Sequence, residues 1–263
     1  MSTLPYALRD STTMFRRDMR HALRYPVMTI SGLAVPIFMM LMFVYVFGNT
    51  MTAGLAHVSP GLQYIDYLAP AIVMMAVGSG TAGTAINLCT DMTEGIIDRF
   101  RTMAITRTAV LTGQVVGGVL RTAVASVLVL GVALLVGFRP TATPLEWLAA
   151  IGVVVMFAVA LTWFAVACGL NAGSPGGANS TTMPVQFLLP FTSSAFVPTD
   201  SMPAWLRGFA EYQPFTAVID TLRGLLLGTG IGVHGWLAVG WCALITAVSY
   251  LWARRTFTRR TAA

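Results

Sequence analysis

Residues 147–199 read WLAAIGVVVMFAVALTWFAVACGLNAGSPGGANSTTMPVQFLLPFTSSAFVPT, 53 residues without an Asp, Glu, Lys or Arg. A soluble core helix rarely needs an apolar run beyond about 14 residues, whereas a membrane-spanning helix needs about 20. The stretch therefore holds two spans, separated by NAGSPGGANS (171–180), which reads as a Gly/Ser/Pro turn. Two more charge-free gaps, Arg24 to Asp66 and Asp66 to Asp91, repeat the pattern. Of 263 residues, 56% are hydrophobic and 10% charged. About 25% charged is usual for a soluble domain, so too few charges remain here to keep a water-facing surface polar.

The reading is an all-α polytopic membrane domain, 27–253, of six transmembrane helices. They are expected at about 27–47, 66–88, 110–136, 147–169, 181–197 and 234–253. Pro36 is expected to kink the first. The second holds Gly78, Ser79, Gly80, Thr81, Ala82 and Gly83, small residues that let another helix approach closely. A polar loop with Asn49, His57, Ser59, Pro60 and Gly61 follows the first span, and a polar segment, 89–109, follows the second. The fifth span is short, and Pro184 and Pro190 mark it as kinked or broken. Segment 198–230 carries Pro198, Pro203 and Pro214 between apolar patches and reads as one or two short helices dipping into the interface.

Ahead of the spans, 1–26 forms a basic N-terminus. Leu4, Leu8, Phe15, Met19 and Leu23 fall on one side of a helix and Arg9, Arg16, Arg17, Arg20 and Arg24 on much of the rest. That pattern describes an amphipathic helix lying on an anionic membrane surface; the plain alternative is a solvated basic terminus. An Arg-rich tail, 254–263, closes the chain. Six spans put both termini on one side, together with twelve arginines, against three (Arg139, Arg207, Arg223) on the other. The positive-inside rule makes that side the cytoplasm. The same bias accounts for the net charge of +6 without nucleic acid.

No catalytic or metal constellation is present. Cys89, Cys168 and Cys242 are odd in number and far apart, and His21, His57 and His234 are dispersed. All 16 basic residues are Arg, so a P-loop, which needs Lys to reach the phosphates, is excluded. Active transport then requires an ion gradient or a partner ATPase. An ion-coupled carrier usually keeps ionisable groups at mid-membrane. Here only Arg121 lies clearly inside a span, either snorkelling to the cytoplasmic interface or facing a substrate path or partner helix. Phe38, Phe43, Tyr45, Phe187 and Phe191 offer an apolar lining for a pathway or dimer; the plain alternative is that they pack in the bundle or face lipid. In 89–109, Asp91, Glu94 and Asp98 recur near helical spacing beside Ile96, Ile97 and Phe100. This is either a docking knob rimmed by charge or a solvated loop.

Three stretches carry a family resemblance over nearly the whole chain: YIDYLAPAIVMMAVG (64–78), DMTEGIIDRFRTMAITRTAVLTGQ (91–114) and FVPTDSMPAWLRGFAEYQPFTAVIDTLRGLLLG (196–228). The sequence resembles the ABC-2 type transporter permeases, nearest the daunorubicin/doxorubicin-resistance branch of actinobacteria. The resemblance implies a six-helix exporter half without its own ATPase site, in the plasma membrane with both termini cytoplasmic. Segment 91–107, with Asp91, Glu94, Gly95, Asp98, Arg99, Phe100, Arg101 and Arg107, is similar to the region that couples to the ATPase. Segment 196–228, with Pro198, Pro203, Pro214, Asp220 and Arg223, resembles the outer re-entrant closure. The implied partners are two copies of a separate ATPase, which binds ATP and Mg, and a second permease copy around a central path. The implied cargo is a drug or a lipid-like compound, with glycans and lipid-linked precursors as alternatives. A gradient-driven carrier and a non-transporting scaffold are the other readings. Two departures stand out: the family often has Pro near Ala104 and Lys or Arg near Gln114.

Overall fold

The structure is a computed structural model that describes residues 26–55, 61–94 and 107–262, with side chains for 33–54, 61–94 and 111–257. Every described regular element is helical: α1 (Pro26–Tyr45), α2 (Gly48–Leu55), α3 (Tyr64–Thr93), α4 (Arg107–Val136), α5 (Pro144–Asn171), α6 (Pro175–Met183), α7 (Ala204–Tyr212), α8 (Pro214–Leu227) and α9 (His234–Ala262). The expected N-terminal interfacial helix lies outside the described residues, as do Gly95, Asp98, Arg99, Phe100 and Arg101; of Arg107 only the backbone is described.

Among the described residues four helices, α3, α4, α5 and α9, are long and apolar enough to cross a membrane. The bent pair α1–α2, turning by 69° between Tyr45 and Gly48, makes a fifth if it is one span. The expected span at 181–197 is a helix that begins earlier and ends at Phe191. Ser174 caps it by accepting a hydrogen bond from the Gly177 N–H (3.2 Å), and Pro175 takes the first helical position. This Ser-Pro start prevails over the Gly-Gly pair that follows, so the expected turn at 171–180 shrinks to residues 172–174. Pro190 has no amide hydrogen, and the ladder widens before it into a π turn, Pro184–Leu188, where the Leu189 N–H reaches back to the Pro184 carbonyl.

Other ends also differ from the sequence reading. Residues 48–55, expected as loop, are helical. Helix α3 runs on to Thr93, and Thr90 and Thr93 turn their hydroxyls back onto the Ile86 and Thr90 carbonyls. The last helix continues through the arginine tail because Ala253 and Phe257, one turn apart, bury against Val166 and Leu170 of α5. Asn171 and Thr256 join the same two helices by a side-chain hydrogen bond of 3.3 Å. Helix α5 starts on a capping box: Thr143 accepts from the Glu146 N–H while the Glu146 carboxylate accepts from the Thr143 N–H.

Helix α3 is the centre of the bundle, in contact with α1, α4, α5, α6 and α8. It is apolar all round from Leu68 to Gly78, and it is buried all round there. Close approach rests on small residues. A methyl at Gly80 would stand 2.5 Å from the Thr122 hydroxyl of α4, and one at Gly169 of α5 would stand 2.7 Å from the Ala85 carbonyl oxygen. The expected small-residue contact is thus made at Gly80, whereas Gly83 meets nothing within 4 Å. Helices α4 and α9 flank this core and keep broad apolar faces exposed, among them Val127, Leu128 and Leu135 of α4 and Trp236, Leu244 and Val248 of α9. Cys89, Cys168 and Cys242 are all buried.

Candidate functional site

The polar residues of greatest interest gather at the end of the bundle where α3 begins. Helices α7 and α8 form a helical hairpin there, each started by a proline. Pro203 accepts backbone hydrogen bonds from Leu206 and Arg207, and Pro214 occupies the first position of α8. Pro198 likewise opens the short turn Thr199–Ser201. The hairpin turns at Gln213, and Phe215 just beyond it reaches deep into the bundle. Its ring stands edge-on to Phe157, midway along α5, at 5.0 Å, and lies within 3.7 Å of the Cβ that Gly78, midway along α3, lacks. Trp241 of α9 braces the turn by donating to the Tyr212 carbonyl at 2.8 Å.

Arg223 of α8 then ties the hairpin to α3. Its guanidinium donates to the Tyr67 carbonyl from Nε (3.3 Å) and Nη2 (3.2 Å), donates to the Ser194 carbonyl (3.1 Å), and pairs through Nη1 with Asp220. Asp220 also accepts from the Ser194 hydroxyl at 2.8 Å. Tyr67 donates its hydroxyl to the Ser194 carbonyl (2.7 Å), and Tyr64 donates to the Phe196 carbonyl (3.1 Å). The network joins α3, the 192–198 strap and α8 and satisfies otherwise costly buried polar groups. Beside it, Asp66 accepts from the Arg139 N–H (3.1 Å), and the Thr141 N–H donates to the Leu226 carbonyl (3.0 Å).

Asp220 and Arg223, both expected from sequence in this segment, therefore meet at one point. Tyr64, Tyr67 and Ser194 were not singled out. The signal for the tyrosines was their i, i+3 spacing in YIDY, which puts both rings on one helix face. Of the five aromatic residues expected to line a path or interface, Phe43 and Phe191 converge. Both pack on Phe196, at centroid distances of 4.6 and 4.8 Å. Phe38 and Tyr45 are largely exposed, and Phe187 is half-buried away from this stack.

At the opposite end, Gln114 of α4 donates to the Asp91 carboxylate of α3 at 2.9 Å. Glu94 is exposed just past the end of α3. Arg121 sits between the two ends, and its Nη2 is buried without a hydrogen-bond partner. No group of three or more His, Cys, Asp or Glu side chains able to hold a metal occurs among the described residues.

The family model for ABC-2 type transporters matches residues 10–227. The chain is similar to the daunorubicin resistance ABC transporter permease protein DrrB1 of Streptomyces coeruleorubidus, 31% identical over 223 residues, spanning 85% of this chain and 77% of that one. It is also similar to the probable doxorubicin resistance ABC transporter permease protein DrrC of Mycobacterium tuberculosis, 26% identical over 231 residues, spanning 85% and 82%.

Proposed function

Because the chain belongs to the ABC-2 type transporter family, we propose that it is the permease subunit of an ABC exporter that carries a hydrophobic or amphipathic compound out of the cell. ATP is hydrolysed on a separate nucleotide-binding subunit, which holds the ATP and Mg, and this chain carries no ATPase site of its own. The kind of partner and the multi-pass membrane location follow from the family. Two ATPase copies, a second permease copy, both termini in the cytoplasm and six spans are the finer parts of the proposal. In it, the bent α1–α2 pair and the helix 175–191 supply the fifth and sixth spans.

One observation carries the mechanism. A single continuous element, α3, holds Tyr64 and Tyr67 of the hairpin network at one end and Asp91 at the other, where Gln114 grips it. A push delivered to segment 91–107 by closure of the ATPases is then transmitted along a buried helix to the α7–α8 hairpin. The hairpin closes the outer end of the path, and tilting α3 loosens the hold of Arg223 on the Tyr67 carbonyl. Glu94, Gly95, Asp98, Arg99, Phe100, Arg101 and Arg107 form the docking segment in this scheme. Phe43 and Phe191, stacked on Phe196, are apolar wall at the closed end. Among the described residues no carboxylate lies midway along a span, which disfavours a gradient-driven carrier.

The test is to purify the chain with the ATPase encoded beside it and to measure ATP hydrolysis in lipid with a panel of hydrophobic drugs. Co-purification with drug-stimulated hydrolysis is expected. Substitutions at Glu94 or Phe100 are expected to lower transport while leaving membrane insertion intact. A well-folded preparation that binds no ATPase overturns the exporter reading, and normal transport by the variants overturns the docking assignment.

A further inference from the structure

Arg121 is the fifteenth residue of the 30-residue α4. Its neighbour Thr122 abuts Gly80, itself midway along α3. Arg121 lies seven residues, about 10 Å along the axis, from Gln114, which meets Asp91 at one end of the bundle. The residue is partly exposed, but its Nη2 is buried and has no hydrogen-bond partner. The other arginines of the bundle interior and its hairpin end are paired or hydrogen-bonded: Arg139 to backbone carbonyls, Arg207 to Asp200, Arg223 to Asp220. A guanidinium does not lose its proton in a protein, and an uncompensated charge at this depth costs several kcal/mol.

Among the described residues no carboxylate stands at that level. Asp66, Glu146, Asp200 and Asp220 belong to the hairpin end. Glu211 adjoins Tyr212, which Trp241 fixes only seven residues, about 10 Å, into α9. Asp91 is held by Gln114, seven residues below Arg121 and again about 10 Å away. Asp10, Asp18 and Asp98 fall outside the described residues. A second copy related by an axis along the membrane normal presents the same described residues at the same depths. An acidic ligand would give this nitrogen the partner that the described residues do not.

We propose that Arg121 is a cargo-recognition residue that binds the acidic head group, a carboxylate, sulfonate or phosphate, of an amphiphile during its passage. This rests on the exporter reading and narrows it: the cargo is an anionic amphiphile rather than a neutral or cationic one. The apolar spans take the tail and the guanidinium takes the head, as charge-assisted, fork-shaped donation favours.

The test uses the full chain in nanodiscs and three probes with one tail: oleate, oleyl alcohol and oleylamine. Binding is read by competition against radiolabelled oleate, with protein-free discs subtracted. Wild type is expected to prefer oleate over oleylamine by about tenfold or more. Arg121→Lys is expected to keep the preference at weaker affinity. Arg121→Gln is expected to lose it, with an unchanged or higher thermal midpoint in the absence of probe, because an unpaired buried charge has gone. Equal binding of oleate and oleylamine by wild type, or an undiminished preference in Arg121→Gln, overturns the proposal. The wild-type comparison stands even if a variant fails to fold. Binding needs no ATPase, so the readings separate: oleate selectivity without any ATP-dependent export sinks the exporter reading and leaves the site, whereas drug-stimulated hydrolysis without selectivity does the reverse.

Discussion

The guanidinium carbon of Arg223 lies 3.7 Å from the centroid of the Tyr67 ring, while its nitrogens donate to the backbone carbonyl of that same tyrosine. One residue of α8 thus grips one residue of α3 by both its π face and its main chain. The two are 156 positions apart in sequence. Arginine suits this double grip because its planar head stacks and forks at once, and lysine does neither.

Arg223→Met is expected to destabilise the solubilised protein by about 3 kcal/mol, because it strands a largely buried Asp220 without its cation. The double variant Arg223→Met with Asp220→Leu should recover much of that loss, since no charge then remains unpaired. Thermal midpoints of the three proteins decide it. A double variant as unstable as the single one removes the ion pair from the explanation.

Replacing Tyr67 by Phe removes only the hydroxyl that donates to the Ser194 carbonyl, at a cost of about 1 kcal/mol. Tyr67→Leu also removes the ring beneath Arg223, and its cost should exceed that of Phe by a further ~1 kcal/mol. The comparison separates the hydrogen bond from the stacking. Equal losses in the two denaturation curves would leave no role for the ring.

At the other end, Asp91→Ala should weaken the joint between α3 and α4 by about 1 kcal/mol. Gln114→Arg is expected to hold or tighten it, because the same carboxylate then receives a charge-assisted bond. Stability measured alongside ATPase stimulation checks both; a marked loss in Gln114→Arg contradicts the geometry.

Gly169→Ala places a methyl 2.7 Å from a backbone oxygen that cannot rotate away, and overpacking of this kind costs about 1–3 kcal/mol. Gly83→Ala meets open space and should be neutral or stabilising by up to about 1 kcal/mol. Melting both in the same detergent gives the answer, and a stable Gly169→Ala would mean that α3 and α5 pack less tightly.

Long charge-free stretches made the spans legible, since 20 apolar residues have few other uses. Prolines were legible as punctuation, and Pro203 and Pro214 do open α7 and α8. Segments where local chemistry outweighed composition were misread. Glycine-rich 171–180 keeps only 172–174 as a turn under the Ser174–Pro175 start, and the arginine-rich tail stays helical because Ala253 and Phe257 still have α5 to pack on. The site was half legible. Asp220 and Arg223 were found from the order of residues in one segment. Tyr67 and Ser194 each give Arg223 a carbonyl oxygen, and a backbone acceptor has no side-chain signature. Arg121 was conspicuous in the sequence, but its want of a partner is a tertiary fact.

The burial of Cys89, Cys168 and Cys242 has a practical consequence. Hydrophilic maleimides should find no native thiol in the folded protein, so topology can be mapped by single cysteines introduced into an otherwise wild-type chain. Ala53, Ser201 and Arg254 are exposed starting points, and labelling of each from one side of the membrane or the other would fix which way the bundle faces.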